Sequence, residues 1–144
     1  MTTAIFTADE IHEQAQGNVA ILPLVTLAYL HERGLSTDDW VTFVGEAFAP
    51  TWESLRGGDA VAIARAAALN IASAGARPIS LVGGADRGEA ILTGWPNEEA
   101  LALFGLTSHD ADRFLGVFGP IAAHLGFHFV ARRDTDRITL SFAR

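Results

Sequence analysis

Between Asp59 and Trp95 the chain changes character twice, and that change limits what it can fold into. Asp59 opens a long Ala-rich segment, AVAIARAAALNIASAG, that is apolar nearly all round. A helix of that kind is expected in the middle of a domain. After Gly75 and Arg77-Pro78 come two strand-like runs, ISLV and EAILTGW, joined by Gly83-Gly84-Ala85-Asp86-Arg87-Gly88. Runs of this type around Gly-Gly and Asp predict a hairpin. The glycine-rich joint looks at first like a phosphate cradle, but a strand follows it where a phosphate site needs a helix N-terminus.

The same order of parts returns at the C-terminal end. Phe127, Phe129 and Ala131 share one face of a run, and Ile138, Leu140 and Phe142 share one face of the next, with Arg133-Asp134-Thr135-Asp136 between them. Period-two alternation around such a turn predicts a second hairpin with one buried face. Helix, glycine, strand, an Asp-Arg turn and strand therefore occur twice, about Gly75 and about Gly126. Two helix–hairpin units would place both hairpins in one antiparallel sheet.

The front half reads as helices. Thr7-Ala8-Asp9-Glu10 fits a capping box, with Phe6 and Ile11 placed as a hydrophobic staple, and predicts a helix over 8–16. Gly17-Asn18 interrupts it, and Asn18 then caps a second helix over 19–33 that ends at Gly34, with Pro23 as a kink or first turn. Ser36 caps a helix over 37–56, whose apolar stripe carries Trp40, Val44, Phe48 and Trp52 and whose wet stripe carries Glu46 and Glu53. Pro50 should bend it. Asp59 caps the Ala-rich helix over 60–74, Asn97 caps 97–104, and Thr107 opens 108–125, in which Gly116, Gly119 and Pro120 weaken the helix. The expected fold is α+β. A single domain over 1–144 has a helical N-terminal half and two hairpins, at 78–94 and 127–143, forming a four-stranded antiparallel sheet with helices on one face.

Composition excludes several function classes. The chain is 49% hydrophobic, which excludes disorder. With Lys+Arg 10 against Asp+Glu 17 and a net charge of −7, no basic run is present to neutralise phosphates, so neither nucleic acid nor an anionic membrane is an expected partner. No apolar run is long enough to span a bilayer, and MTTAIFTADE has no secretory n-region or h-region. The lack of Cys removes disulfides, thiolate metal sites and Cys nucleophiles, and fits a cytoplasmic protein. Ala-, Gly- and Arg-rich usage suggests a bacterial source. The high apolar share, with Val82, Val130 and Ile91 on the far face of the sheet, predicts a homo-oligomer, a dimer or tetramer formed through the sheet, an edge strand or the Trp95 region.

No P-loop, dinucleotide fingerprint, nucleophile elbow or His-Glu-x-x-His pattern occurs. None of the five histidines makes a ligand pair, so neither metal nor cofactor is expected. His124 and His128 are four apart, but Gly126 breaks the helix between them. Four residues remain as candidates. Asn70 is a polar residue on an apolar helix and points about 140° away from Arg65; if Arg65 reaches water, Asn70 turns inward and must find partners. Trp52 and Arg56 lie past Pro50, where an aromatic wall beside a guanidinium suits an apolar or carboxylate-bearing ligand. His124 sits at the edge of its helix's apolar stripe, placed to act as acid or base near neutral pH. Helices bent at Pro23, Pro50 and Pro120 can enclose a cavity around a sheet.

The leading expectation is a small-molecule-binding domain, a sensor or accessory module, with a pocket between helices and sheet lined by Trp52, Arg56, Asn70 and His124. One alternative is a metal-independent hydrolase or isomerase using His124, which requires a carboxylate near the imidazole inside a cleft; Glu46 and Glu53 are the nearest candidates. The other is a structural or interaction subunit without a pocket.

Overall fold

The computed structural model describes residues 5–144. Six α-helices and four strands occur among them: α1 (Ala8–Arg33), α2 (Thr37–Phe48), α3 (Ala60–Ser73), β1 (Arg77–Gly83), β2 (Arg87–Thr93), α4 (Glu98–Phe104), α5 (Ser108–Phe114), α6 (Phe118–His124), β3 (His128–Asp134) and β4 (Arg137–Ala143). The fold is α+β, with the helices on one face of an antiparallel sheet ordered β1-β2-β4-β3.

The two hairpins meet at β2 and β4, which pair without a break from Arg87↔Ala143 to Thr93↔Arg137. Both strands alternate identically: Gly88, Ala90 and Leu92 on one, and Ile138, Leu140 and Phe142 on the other, are buried under the helices. Gly88 is the contact point. A Cβ there would stand 2.5 Å from the Cα of Val61, so only glycine lets the helix lie this close to the sheet. The edges are protected. Pro78 and a register shift interrupt β1, while β3 exposes His128, Arg132 and Asp134. The outer face is wetter than Val82, Val130 and Ile91 suggested, because Glu89, Thr93, Thr139 and Ser141 stand between them, with Ser141 Oγ donating to Glu89 at 3.0 Å.

Several boundaries differ from the expectation for local reasons. The helices predicted at 8–16 and 19–33 are one helix of 26 residues. An internal glycine costs a helix only about 1 kcal/mol, and Gln14 Nε2 donates to Asn18 Oδ1 across the joint at 3.0 Å, so Asn18 supports the helix instead of capping a new one. The ends are fixed by the Thr7–Glu10 capping box and by Gly34 at φ 64°. Phe6 and Ile11, expected to pack as a staple, are both well exposed. The helix predicted over 37–56 is α2 followed by a 3₁₀ segment, Ala49–Leu55, that begins around Pro50. The helix predicted over 108–125 is divided into α5, a 3₁₀ turn at Leu115–Val117, and α6.

The Ala-rich helix α3 is buried on one side only, by Ala60, Ile63, Ala64, Ala67 and Ile71, and Leu69 and Asn70 are exposed. Its N-terminus is not capped by the Asp59 side chain. The β1–β2 turn does that work: the carbonyls of Ala85 and Gly84 accept from the N–H groups of Ala60 at 2.9 Å and Val61 at 3.1 Å. The glycine-rich loop therefore does meet a helix N-terminus, but it presents carbonyls and uses up the donors an anion would need. Trp95, a candidate interface residue in sequence, is 4% exposed and belongs to the core. Arg133 fixes the turn that carries it, donating to the Trp95 carbonyl at 3.0 Å and to both carboxylate oxygens of Asp112 at 2.7 and 2.6 Å.

Candidate functional site

A cavity of about 210 Å³ opens among the helices. Its walls are Val19 and Pro23 of α1, Val44 and Phe48 of α2, Trp52, the C-terminal turn of α3 (Asn70, Ile71, Ser73) with Ala74, Trp95, and Phe114, Val117, Phe118 and Ile121 from the last helical stretch. No strand residue lines it, although Trp95 lies just beyond β2. The expected space lay between helices and sheet, whereas this one is lined by helical segments and their connections. Trp52 packs edge-on against Phe118 at 6.0 Å, and Phe118 against Phe129 of β3 at 5.6 Å, so the aromatic wall continues into the core.

Of the three prolines predicted to bend a helix, one lines this space and the other two lie in segments whose neighbouring residues line it. Pro23 lines it. Pro50 starts the 3₁₀ segment that aims Trp52 into it. Pro120 stands where α6 meets α2, and a Cβ on Gly45 would come within 2.8 Å of its Cγ and 2.5 Å of the Val117 carbonyl. Helices that cannot continue straight leave volume where they would otherwise pack side by side.

The four candidate residues fall into two groups. Trp52 and Asn70 line the cavity. Asn70 is at its rim and not turned into the core, contrary to the angular argument: α3 packs on the sheet by one face, and the exposed arc is wide enough to hold both Arg65 and Asn70. Its Nδ2 donates to the Ala66 carbonyl one turn back at 2.9 Å, and Ser73 Oγ donates to the Asn70 carbonyl at 2.6 Å. The Asn70 side-chain oxygen accepts no hydrogen bond from the described residues, so it is a free acceptor beside an apolar space.

Arg56 and His124 lie outside the cavity, joined through Glu53. The 3₁₀ spacing stacks Glu53 and Arg56 on one side, away from Trp52. Arg56 Nε donates to Glu53 Oε1 at 2.5 Å, and His124 Nε2 lies 2.6 Å from Glu53 Oε2. Arg56 Nη2 is also 3.3 Å from His124 Nε2, but a guanidinium can only donate. The shorter contact to Glu53 therefore sets Nε2 as the N–H donor. Hydrogen bonds from Arg56 and then from His124 hold the Glu53 carboxyl down at about 2. The carboxylate partner expected of an acid–base histidine is present, but on open surface: Glu53 and Arg56 are about half exposed, with side-chain accessibilities of 54% and 50%, and no residue of the cluster lines the cavity.

The side chains missed in sequence are the hydrophobic ones that build the walls, above all Phe48, Phe114, Phe118 and Ile121. Phe48 was visible on the apolar stripe of its predicted helix, and the prolines within the predicted helices were the signal that such stripes can leave a gap. Among the described residues no charged side chain lines the cavity, and no group of three or more His, Cys, Asp or Glu side chains is placed to hold a metal ion. No helix among them is long and apolar enough to cross a membrane. No family model matches the chain, and no curated protein matches it in sequence.

Proposed function

We propose that the chain is a small-molecule-binding domain, a sensor or accessory module, whose ligand occupies the helix-lined cavity. The observation that carries this is the lining: aromatic and aliphatic walls around about 210 Å³, with Asn70 and Ser73 as the polar groups at the rim. An apolar cavity of about 150 Å³ stays dry and takes a molecule the size of benzene. The space here suits a single ring or a chain of a few carbons, smaller than the drug-sized pockets of about 300 Å³ and more. The uncharged lining favours a neutral ligand over a carboxylate, and the free Asn70 oxygen favours one carrying a hydroxyl or N–H donor.

The test is titration with toluene, 1-hexanol, phenol and hexanoate, followed by the indole N–H resonances of Trp52 and Trp95. Saturable shifts with the neutral probes and none with hexanoate are expected. Asn70→Ala should weaken 1-hexanol and phenol about two- to tenfold, the worth of one hydrogen bond, and leave toluene unchanged. Absence of saturable shifts with every neutral probe refutes the reading.

A second reading, a metal-independent hydrolase or isomerase using His124, has one observation in its favour, the 2.6 Å contact with Glu53. The exposure of that pair and its separation from the cavity weigh against it. On the binding reading His124→Ala leaves all four probe titrations unaltered.

A further inference from the structure

The helix α1 is apolar on two opposite sides. One side, Leu24, Leu27 and Leu30, is buried against the body. The other carries Ile11, Ala15, Asn18, Leu22, Val25 and Tyr29, at alternating intervals of four and three residues. At 100° per residue these six fall within about 80° of arc, roughly opposite the buried leucines. They are exposed, Ile11 at 59%, Leu22 at 66% and Tyr29 at 51%. A single seam of 4-3 spacing is what one helix presents to another in a two-helix pair. From Ala8 to Val19 no residue of α1 is buried, and only Gln16 is even partly covered. That length of helix is marginal alone in water, so a seam along it calls for a cover.

We infer that the occupant of this seam is the α1 helix of a second copy of the chain, lying antiparallel, with the two-fold axis near Ala20. Centred there, Ile11 meets Tyr29, Ala15 meets Val25 and Asn18 meets Leu22, each pair occurring twice. Charge selects the direction. The first turns of α1 carry Asp9, Glu10 and Glu13, whereas in the last turn Glu32 stands between His31 and Arg33, so that end carries no net negative charge. Antiparallel pairing keeps the two acidic ends apart, sets each beside the end of the partner helix that carries Arg33, and opposes the helix dipoles favourably. Parallel pairing would bring six carboxylates together. Each unsupported N-terminal half would then lie along the C-terminal half that the partner's body holds in place. The surfaces expected to mediate assembly are less suited: Trp95 is buried, both sheet edges are protected, and polar side chains interrupt the outer face of the sheet.

The experiment is sedimentation equilibrium on the full chain and on Leu22→Glu and Val25→Glu, both at exposed positions, with near-ultraviolet dichroism confirming that each variant folds. A dimer at micromolar concentration is expected, with its dissociation constant raised at least about a hundredfold by either substitution. The chain has no cysteine, so a spin label on Asp9→Cys is unique. In the antiparallel dimer two such labels lie about 33 Å apart along the axis; in a parallel one they are separated by about 10 Å. A wild-type monomer at high micromolar concentration, a dimer indifferent to both substitutions, the short label distance, or a monomer that partitions onto phosphatidylcholine–phosphatidylglycerol vesicles through this face would each overturn the proposal.

Discussion

Glu53 accepts hydrogen bonds from Arg56 and His124 at once, and its carboxyl is held down at about 2 by those two partners in that order. An unfolded glutamate titrates near 4.3. A depressed native pKa stabilises the fold at any pH above the unfolded value and ceases to do so as the pH falls through the native one. The cluster's contribution is therefore present above about pH 4.3 and lost on descending towards pH 2. Its exposure to solvent makes that contribution small and salt-sensitive. Denaturant midpoints compared at pH 7 and pH 2.5 should differ less for Glu53→Gln than for the wild type, and the gap should narrow in high salt. An acid limb identical in both proteins would remove Glu53 from the account. At this scale the caps were legible: Thr7, Ser36, Asn97 and Thr107 each cap as their local patterns require. Asp59 and Asn70 were not, because a cap can be supplied by a distant turn and a helix face is set by what lies beside it. The approach of the β1–β2 turn to α3 is a tertiary event with no local signal.

The contact between α3 and the sheet turns on one missing side chain. The methyl group of Gly88→Ala would enter the backbone of Val61, which cannot yield as a flexible side chain would. Moving α3 off the sheet also loosens the Ala60 and Val61 hydrogen bonds to the turn. We expect destabilisation by about 1–3 kcal/mol, the usual range for overpacking, read as a lower denaturant midpoint. Gly84→Ala, where a Cβ meets nothing within 4 Å, is the control and should fall well short of that loss. The elements themselves were readable from periodicity and from glycine. The C-terminal hairpin showed the alternation that a half-buried sheet imposes and the first showed its glycine-rich turn, and both appear in the fold. The continuous α1 was hidden because Gly17-Asn18 resembles an end signal, and no local pattern reveals that a helix will run on unsupported beyond the body. Conversely, Pro50 and the Gly116–Pro120 stretch were visible as weak points, and only packing decides whether such a point becomes a bend, a 3₁₀ turn or a break.

Across the molecule the cavity and the proposed seam share a helix. Val19 and Pro23 line the cavity, and both lie within a turn of Ala20, where the antiparallel two-fold would pass. A partner helix there would press α1 against the body at the height of the cavity wall, restricting the motions by which Val19 and Pro23 could withdraw. A ligand filling the cavity would hold the same wall from inside. Two events that order one element favour each other, and the coupling is reciprocal. Probe affinity should therefore rise with protein concentration through the range where the dimer forms, and saturating 1-hexanol should tighten the dimer by the factor per site that dimerisation tightens 1-hexanol. Leu22→Glu separates the two effects, since it leaves every cavity residue in place. The variant should bind 1-hexanol with one affinity at all protein concentrations, equal to that of the dilute wild type. Isothermal titration of wild type and variant at concentrations below and above the dimer transition measures both. Equal affinities throughout, in a protein shown to dimerise, would mean that the seam and the cavity act independently although they are built on the same helix.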